Sequence, residues 1–208
     1  MRSLRDRKVI IFVRHGESTK NVGRIYSSEL GKYPLTRRGR EQVGAVADAL
    51  SKLTSVDRLY AGPVLRAQET AEIISRRIGI RPVTNSLLWE RSAGKYEGKK
   101  YKRGGPDKVL ADQIRRGYPD WESWQSVIKR MRRFSKVARA GRIIIAVTHG
   151  DPIKAVLGYL LNKKESELPG LDKLGILMAT MTIVDFGKKG KNAIVAVGVT
   201  KLPIEFRR

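Results

Sequence analysis

The sequence predicts an α/β protein: a three-layer sandwich with a mainly parallel central sheet flanked by helices. Three observations point there. Two short runs, Val9-Ile10-Ile11-Phe12-Val13 and Ile143-Ile144-Ile145-Ala146-Val147, are apolar at every position, as strands covered on both faces are. Other segments carry apolar residues at helical spacing. The two kinds alternate along the chain, the pattern of a sheet built through crossover connections.

After the first strand, residues 39–52 place Val43, Val46, Ala47 and Leu50 on one helical face. Arg58-Leu59-Tyr60 reads as a short strand, and Pro63 behind it suits a helix start. Residues 64–78 repeat Leu65, Ala71, Ile74 and Ile78 as a helix stripe. The stretch 91–120 is rich in Gly, Lys and Arg. It is too long for an ordinary connection, so it is a functional excursion or partly helical. Residues 124–138 align Trp124, Val127, Ile128, Met131, Phe134 and Ala138. The strand 143–147 leads to a helix over 152–161, then strands at 177–185 and 192–199. With no internal repeat, linker or low-complexity tract, one domain over 1–208 is expected.

Composition narrows the function classes. At 208 residues and 41% apolar, the chain can bury a real core. It has no Cys, which removes disulfides, thiolate metal sites and Cys nucleophiles together. Lys plus Arg is 43 against 20 Asp plus Glu, a net charge of +23 that attracts polyanions or phosphorylated small molecules. No apolar run approaches the roughly 20 residues that span a bilayer, so no membrane partner is expected. The apolar run after the basic segment Met1–Lys8 is too short for a signal peptide core. A cytoplasmic location is the expectation.

The chain has two histidines, and both sit in the same setting. His15 follows the first apolar strand in Val13-Arg14-His15-Gly16-Glu17; His149 follows the second in Val147-Thr148-His149-Gly150-Asp151. Ligands of open α/β sheets bind beyond the carboxyl ends of the strands. If the two strands are neighbours, both imidazoles meet there. A single strand-end histidine is usually an ordinary one; two of two, each followed by Gly, point to a site. Two His and a carboxylate can also hold a metal, but Arg14 beside His15 repels a cation. Arg66, in the first turn of the 63–78 helix, lies at the same edge. It has Glu69 three residues on as an ordinary ion-pair mate; otherwise it joins Arg14 in clamping a phosphate.

At this point the residues resemble a family. Arg14-His15-Gly16-Glu17-Ser18 is similar to the signature of the histidine phosphatase superfamily, which includes the cofactor-dependent phosphoglycerate mutases. Asn21 falls six residues after His15, as in the family. Pro34-Leu35-Thr36 with Gly39 and Gln42 resembles a second block, and Leu65-Arg66-Ala67 with Thr70-Ala71 a third. Glu90, Gly94, Glu97 and Gly98 resemble a fourth, and Thr148-His149-Gly150 the closing one. The sequence departs from the pattern at Lys20, where an aromatic is common, at Ala61-Gly62, where a Ser pair is usual, and over 25–33.

The resemblance implies a metal-independent phosphatase that hydrolyses phosphomonoesters through a phosphohistidine and needs no cofactor. His15 would be the nucleophile and Glu90 the acid and base. Arg14, Arg66 and His149 would hold the transferring phosphoryl group, with Asn21 and Gly150 as further substrate contacts. Glu17 and Asp151 would orient the histidines or face solvent.

The nearest alternative is a cofactor-dependent phosphoglycerate mutase. A mutase must exclude water, and the chain ends soon after its last strand, although Glu90-Arg91 and Arg115-Arg116-Gly117-Tyr118 echo mutase contacts. A second alternative is a non-enzymatic polyanion binder built on Lys129, Arg130, Arg132, Arg133 and Lys136. Without interleaved aromatics these read as a solvated face, so nucleic acid is disfavoured as the main partner. A homodimer is compatible with the sequence. The expected partner is a phosphorylated small-molecule substrate.

Overall fold

The computed structural model describes residues 8–53, 55–101, 120–138, 143–187 and 192–206. Among these residues six strands form one sheet in the order β3-β2-β4-β1-β5-β6. They are β1 (Val9–Arg14), β2 (Arg58–Ala61), β3 (Pro82–Thr84), β4 (Ile143–Thr148), β5 (Met181–Phe186) and β6 (Asn192–Val199). β1, β2, β3 and β4 run parallel; β5 and β6 pair antiparallel at one side. Only a short connection separates β5 from β6, which suits an antiparallel pair; parallel neighbours need a crossover.

Among the described residues five α-helices accompany the sheet: α1 (Thr19–Gly23), α2 (Arg37–Leu50), α3 (Leu65–Ile78), α4 (Trp124–Ala138) and α5 (Gly150–Leu160). The strand period of two divides the core into two layers. Val9, Ile11 and Val13 of β1 pack with Val43, Val46, Ala47 and Leu50 of α2 and with Ala67, Ala71 and Ile74 of α3. Ile10 and Phe12 point the other way, to Trp124, Val127, Met131 and Phe134 of α4 and Ile153, Val156 and Leu157 of α5. This is the predicted mixed α/β sandwich. The apolar runs of β1 and β4 are the strands that bury both faces.

Three local expectations shift. The stripe expected on α3 began at Leu65, yet the buried face is Arg66, Ala67, Thr70, Ala71 and Ile74. Leu65 is only partly covered, because the helix turns its second residue toward the strand ends. The strand expected at 177–185 starts at Met181; Leu177 before it is exposed. α1 and β3, at five and three residues, were not foreseen. Of the 91–120 excursion, 94–96 form a single 3-10 turn, while 102–119 lie outside the described residues, as do Arg115, Arg116 and Tyr118. Among the described residues no helix is long and apolar enough to cross a membrane.

Candidate functional site

The site follows from strand register. β1 and β4 are parallel neighbours with Arg14 opposite Thr148, so the next residue of each chain segment, His15 and His149, leaves the sheet side by side. The backbone continues the alignment, His15 N–H donating to Thr148 O at 3.0 Å. The two rings meet edge to face with centroids 5.1 Å apart. Both are buried, at 1% and 0% exposure.

Two motif glycines explain how His15 is seated. A Cβ on Gly16 would lie 2.6 Å from Gly39 O, and one on Gly39 would lie 1.9 Å from Glu17 O. The turn after His15 and the start of α2 therefore touch backbone to backbone, and only glycine fits at either place. Side chains lock the contact. Glu17 N–H donates to Gln42 Oε1 at 3.0 Å, Gly16 N–H to Thr70 Oγ1 at 3.2 Å, and Thr36 Oγ1–H to Glu17 Oε1 at 2.8 Å. Glu17 thus supports the turn and does not reach the reacting centre.

The tautomer of His15 is fixed by its partners. Nδ1 lies 2.7 Å from Gly16 O, a pure acceptor, so Nδ1 carries the proton. Nε2 accepts from Arg66 Nε at 3.1 Å, so it is the unprotonated nitrogen and its lone pair is held by Arg66. Burial, chiefly, and then Arg66, His149 and Arg14 hold the His15 pKa well below the ordinary imidazole value; the Gly16 carbonyl opposes them. The ring is neutral, the state that a nucleophile needs. Burial and then Arg66, Lys20, Arg130 and Arg14 likewise keep His149 neutral.

Arg66 is fully buried. Besides His15 it donates from Nη2 to Ser27 O at 2.9 Å, while Nη1 has no partner. The ion pair with Glu69 that sequence spacing allowed is not made. Glu69 turns to Arg40, at 2.7 Å, and to the Leu35 N–H, at 2.6 Å. Arg14 donates from Nη1 to Ile176 O at 2.6 Å and leaves Nε buried and unpartnered. Gly150 packs on that guanidinium, since a Cβ there would sit 3.4 Å from Arg14 Cζ. His149 is the N-cap of α5, so the first N–H groups of that helix open at the site. Both ring nitrogens of His149 lack hydrogen-bond partners. Five residues or helix ends thus present buried donors or lone pairs to one small volume.

Glu90 enters from the loop after β3. Thr148 Oγ1–H donates to Leu88 O at 2.8 Å, and Gly62 lets that carbonyl approach, since a Cβ there would lie 2.5 Å away. Glu90 Oε2 then lies 3.6 Å from His149 Nδ1 and 3.8 Å from both Arg66 Nη2 and Lys20 Nζ. His15, Glu90 and His149 could ring a metal ion geometrically. Arg66 already holds the His15 lone pair, and Arg14 and Lys20 line the same cleft, so the field there favours an anion over a cation.

Of the remaining sequence candidates, Asn21 has its Oδ1 committed to Ser18 N–H at 3.0 Å and Ser18 Oγ at 2.8 Å, closing the first turn of α1. Its amide N–H₂ is what it could offer a substrate. Asp151 lines the cleft but pairs with Lys154 at 2.8 Å and lies 3.8 Å from Arg91 Nη1. Sequence reasoning missed the Ser27 carbonyl; it noted Lys20 only as a departure from the family pattern and Arg91 only as an echo of mutase contacts, and placed neither at the site. It also missed the work of Glu97, which accepts from Ser28 N–H at 2.8 Å, Ser28 Oγ at 2.7 Å and Ala93 N–H at 2.8 Å. Glu97 thereby fixes the loop whose Ser27 carbonyl anchors Arg66. The basic face of α4 stays exposed at Lys129, Arg132, Arg133 and Lys136, but Arg130 turns inward to Glu122 at 2.9 Å and Leu87 O at 2.8 Å.

The cleft has a volume of about 420 Å³. Beyond the histidines, Tyr26, Tyr101, Trp121 and Trp124 form one wall. Arg91 lies over the Trp124 ring, 4.2 Å from its centroid.

The family model described as histidine phosphatase superfamily (branch 1) matches residues 10–200. A 2,3-bisphosphoglycerate-dependent phosphoglycerate mutase of Thermoplasma acidophilum is 34% identical over 181 residues, covering 86% of this chain and 87% of that protein. A 6-phosphofructo-2-kinase/fructose-2,6-bisphosphatase of Caenorhabditis elegans is 27% identical, with 78% of this chain matched to 36% of that one. A mycobacterial glucosyl-3-phosphoglycerate phosphatase shares the fold, with a TM-score of 0.75 at 20% identity over 93% of this chain and 99% of that one.

Proposed function

The chain belongs to branch 1 of the histidine phosphatase superfamily, whose members are phosphoryl-transfer enzymes, and we propose that it hydrolyses phosphomonoesters through a phosphohistidine on His15. One observation carries this reading: beside the neutral His15, whose Nε2 is held by Arg66 Nε, two buried donors, Arg14 Nε and Arg66 Nη1, have no protein acceptor. Buried polar groups without partners are costly, so their acceptor is the ligand. A phosphoryl group supplies the acceptor oxygens.

In the first step Arg66 Nε exchanges His15 Nε2 for a phosphoryl oxygen, the freed Nε2 attacks phosphorus, the Nε2–P bond forms and the bond to the leaving oxygen breaks. Arg14, Arg66 and His149 meet the charge on the equatorial oxygens, and Asn21 and the Gly150 end of α5 assist. Glu90 takes a proton from the phosphomonoester monoanion as it binds, and the leaving alkoxide takes that proton from Glu90. In the second step Glu90 takes a proton from water, the hydroxide attacks phosphorus, and the Nε2–P bond breaks to release phosphate. The charges in motion are met by side chains, so the reading assigns no metal and no cofactor.

Hydrolysis is preferred over transfer because, among the described residues, the cations beyond the phosphoryl end are already matched. Lys154 pairs with Asp151 at 2.8 Å and Asp172 at 3.2 Å, and Arg91 faces Asp151 at 3.8 Å. A phosphoglycerate acceptor would bring a carboxylate to that end. The 34% identity to a phosphoglycerate mutase favours the second reading, mutase activity. One assay separates them: free phosphate released from simple phosphomonoesters against interconversion of 2- and 3-phosphoglycerate, with and without bisphosphoglycerate. The expected result is phosphate release in excess of isomerisation. Fast, bisphosphoglycerate-stimulated isomerisation with little free phosphate would make the chain a mutase.

A further inference from the structure

We propose that Lys20 contacts the substrate, holding a phosphoryl oxygen together with Arg66 and His149 in the place that Glu90 Oε2 fills in the free site. The inference rests on the phosphoryl-transfer reading and adds a residue to it. Lys20 is the position where the sequence departs from the family pattern, carrying a cation where an aromatic is common.

Four observations support it. Lys20 lies on α1, between the His15 turn and the cleft, and its side chain lines the cleft at 15% exposure. Its nearest anion is Glu90, with Nζ 3.8 Å from Oε2. Arg66 Nη2 and His149 Nδ1 converge on that same oxygen at 3.8 and 3.6 Å. All three distances exceed hydrogen-bond length, so one carboxylate oxygen faces three nitrogens and bonds to none of them; Arg66 Nη2 keeps the Ser27 carbonyl with one hydrogen and has a second to offer. A tetrahedral oxyanion brings several oxygens to such a site and can answer each donor. Once the phosphoryl group takes the three donors, Glu90 is free to face the leaving oxygen beside it.

A buried ammonium needs an anion to stay charged, and Lys20 shows the strain. Burial lowers its pKa to about 8, with Glu90 opposing and Arg66 and Arg14 adding to the fall; Asp151 opposes more weakly. These groups, with His149, face it from β1, α3, α5 and the loop after β3. Lys20 is therefore charged at neutral pH and loses its proton in the mildly alkaline range.

The test uses the full chain, inorganic phosphate as inhibitor and p-nitrophenyl phosphate as substrate. Lys20→Met should raise the inhibition constant for phosphate and lower kcat/KM about 10- to 100-fold, the range for losing a hydrogen bond to a charged group. Lys20→Arg should recover most of both. The pH profile adds a readout that a merely structural lysine would not move. Wild-type kcat/KM should fall as pH rises through about 8, and Lys20→Arg should abolish that limb, since a guanidinium keeps its proton. If Lys20→Met fails to fold, the limb in Lys20→Arg decides alone: its loss supports the proposal and its persistence overturns it. Unchanged phosphate affinity in Lys20→Met, or a loss confined to carboxylate-bearing substrates, also overturns it. A wild type that neither hydrolyses phosphomonoesters nor binds phosphate brings down the phosphoryl-transfer reading itself, and this proposal with it.

Discussion

Replacing Arg66 by Lys keeps the buried charge and removes the shape. In the wild type three nitrogens of one planar group divide the work: Nε holds the His15 lone pair at 3.1 Å, Nη2 holds the Ser27 carbonyl at 2.9 Å, and Nη1 is left for the ligand. A lysine has one ammonium at the end of a flexible stem. To reach the phosphoryl group it must abandon His15 and Ser27 or be pulled away from the ligand by them. Loss of one preorganised donor costs about 10²- to 10³-fold in kcat, or about 3–4 kcal/mol of transition-state stabilisation. The orphaned Ser27 carbonyl, on a residue 2% exposed, costs a further ~1–3 kcal/mol of stability. Steady-state kinetics on an aryl phosphate and a thermal melt measure the two effects separately. Arg66→Lys should lose at least a hundredfold in kcat and melt several degrees lower. A variant within about threefold of wild-type kcat would refute the placement of Arg66 at the phosphoryl group, since any donor lost there costs more.

Other outcomes follow from the same geometry. Glu90→Gln should slow alkyl phosphates far more than an aryl phosphate with an acidic phenol, because only the poor leaving group needs the proton; equal losses would move the acid elsewhere, with Asp151 the next candidate. Activity should survive exhaustive EDTA treatment, and complete loss restored by iron, zinc or magnesium would instead assign His15, Glu90 and His149 to a metal. Stability should fall with pH below the ordinary imidazole value of 6.5. There the unfolded chain binds protons that the buried, neutral His15 and His149 refuse, so the slope approaches about 2.7 kcal/mol per pH unit for the two groups together. Denaturant melts between pH 6.5 and 5 should show this slope, and a His15→Gln/His149→Gln protein should lack it.

Much of the fold was legible because its strongest signals are local. Runs that are apolar at every position can be little else than doubly covered strands, and β1 and β4 are those strands. The histidines were legible for the same reason, as the first residues past such strands. What could not be read was direction and reach. Nothing in residues 177–199 says that β5 runs antiparallel to β1 and that β6 reverses again beside β5. Pro82-Val83-Thr84 is too short for a periodic pattern, and its proline suits the edge position that β3 takes. Arg66 offered a partner three residues along its own helix, yet Glu69 is drawn off by Arg40 and the Leu35 N–H, and Arg66 is left for His15. Lys20 stood out in the sequence only as a departure from the family pattern, with no role attached. Its burial beside Glu90 depends on α1, a five-residue helix held by the Asn21–Ser18 bonds, and no window of sequence displays that.

The measurement that bears most directly on the central claim is a rapid quench of the wild-type enzyme during turnover of a ³²P-labelled phosphomonoester. The quenched protein should carry one acid-labile, base-stable phosphate, peptide mapping should place it on His15, and His15→Ala should carry none and turn over no substrate. Turnover with no labelled protein intermediate, or a fully active His15→Ala, would contradict the account.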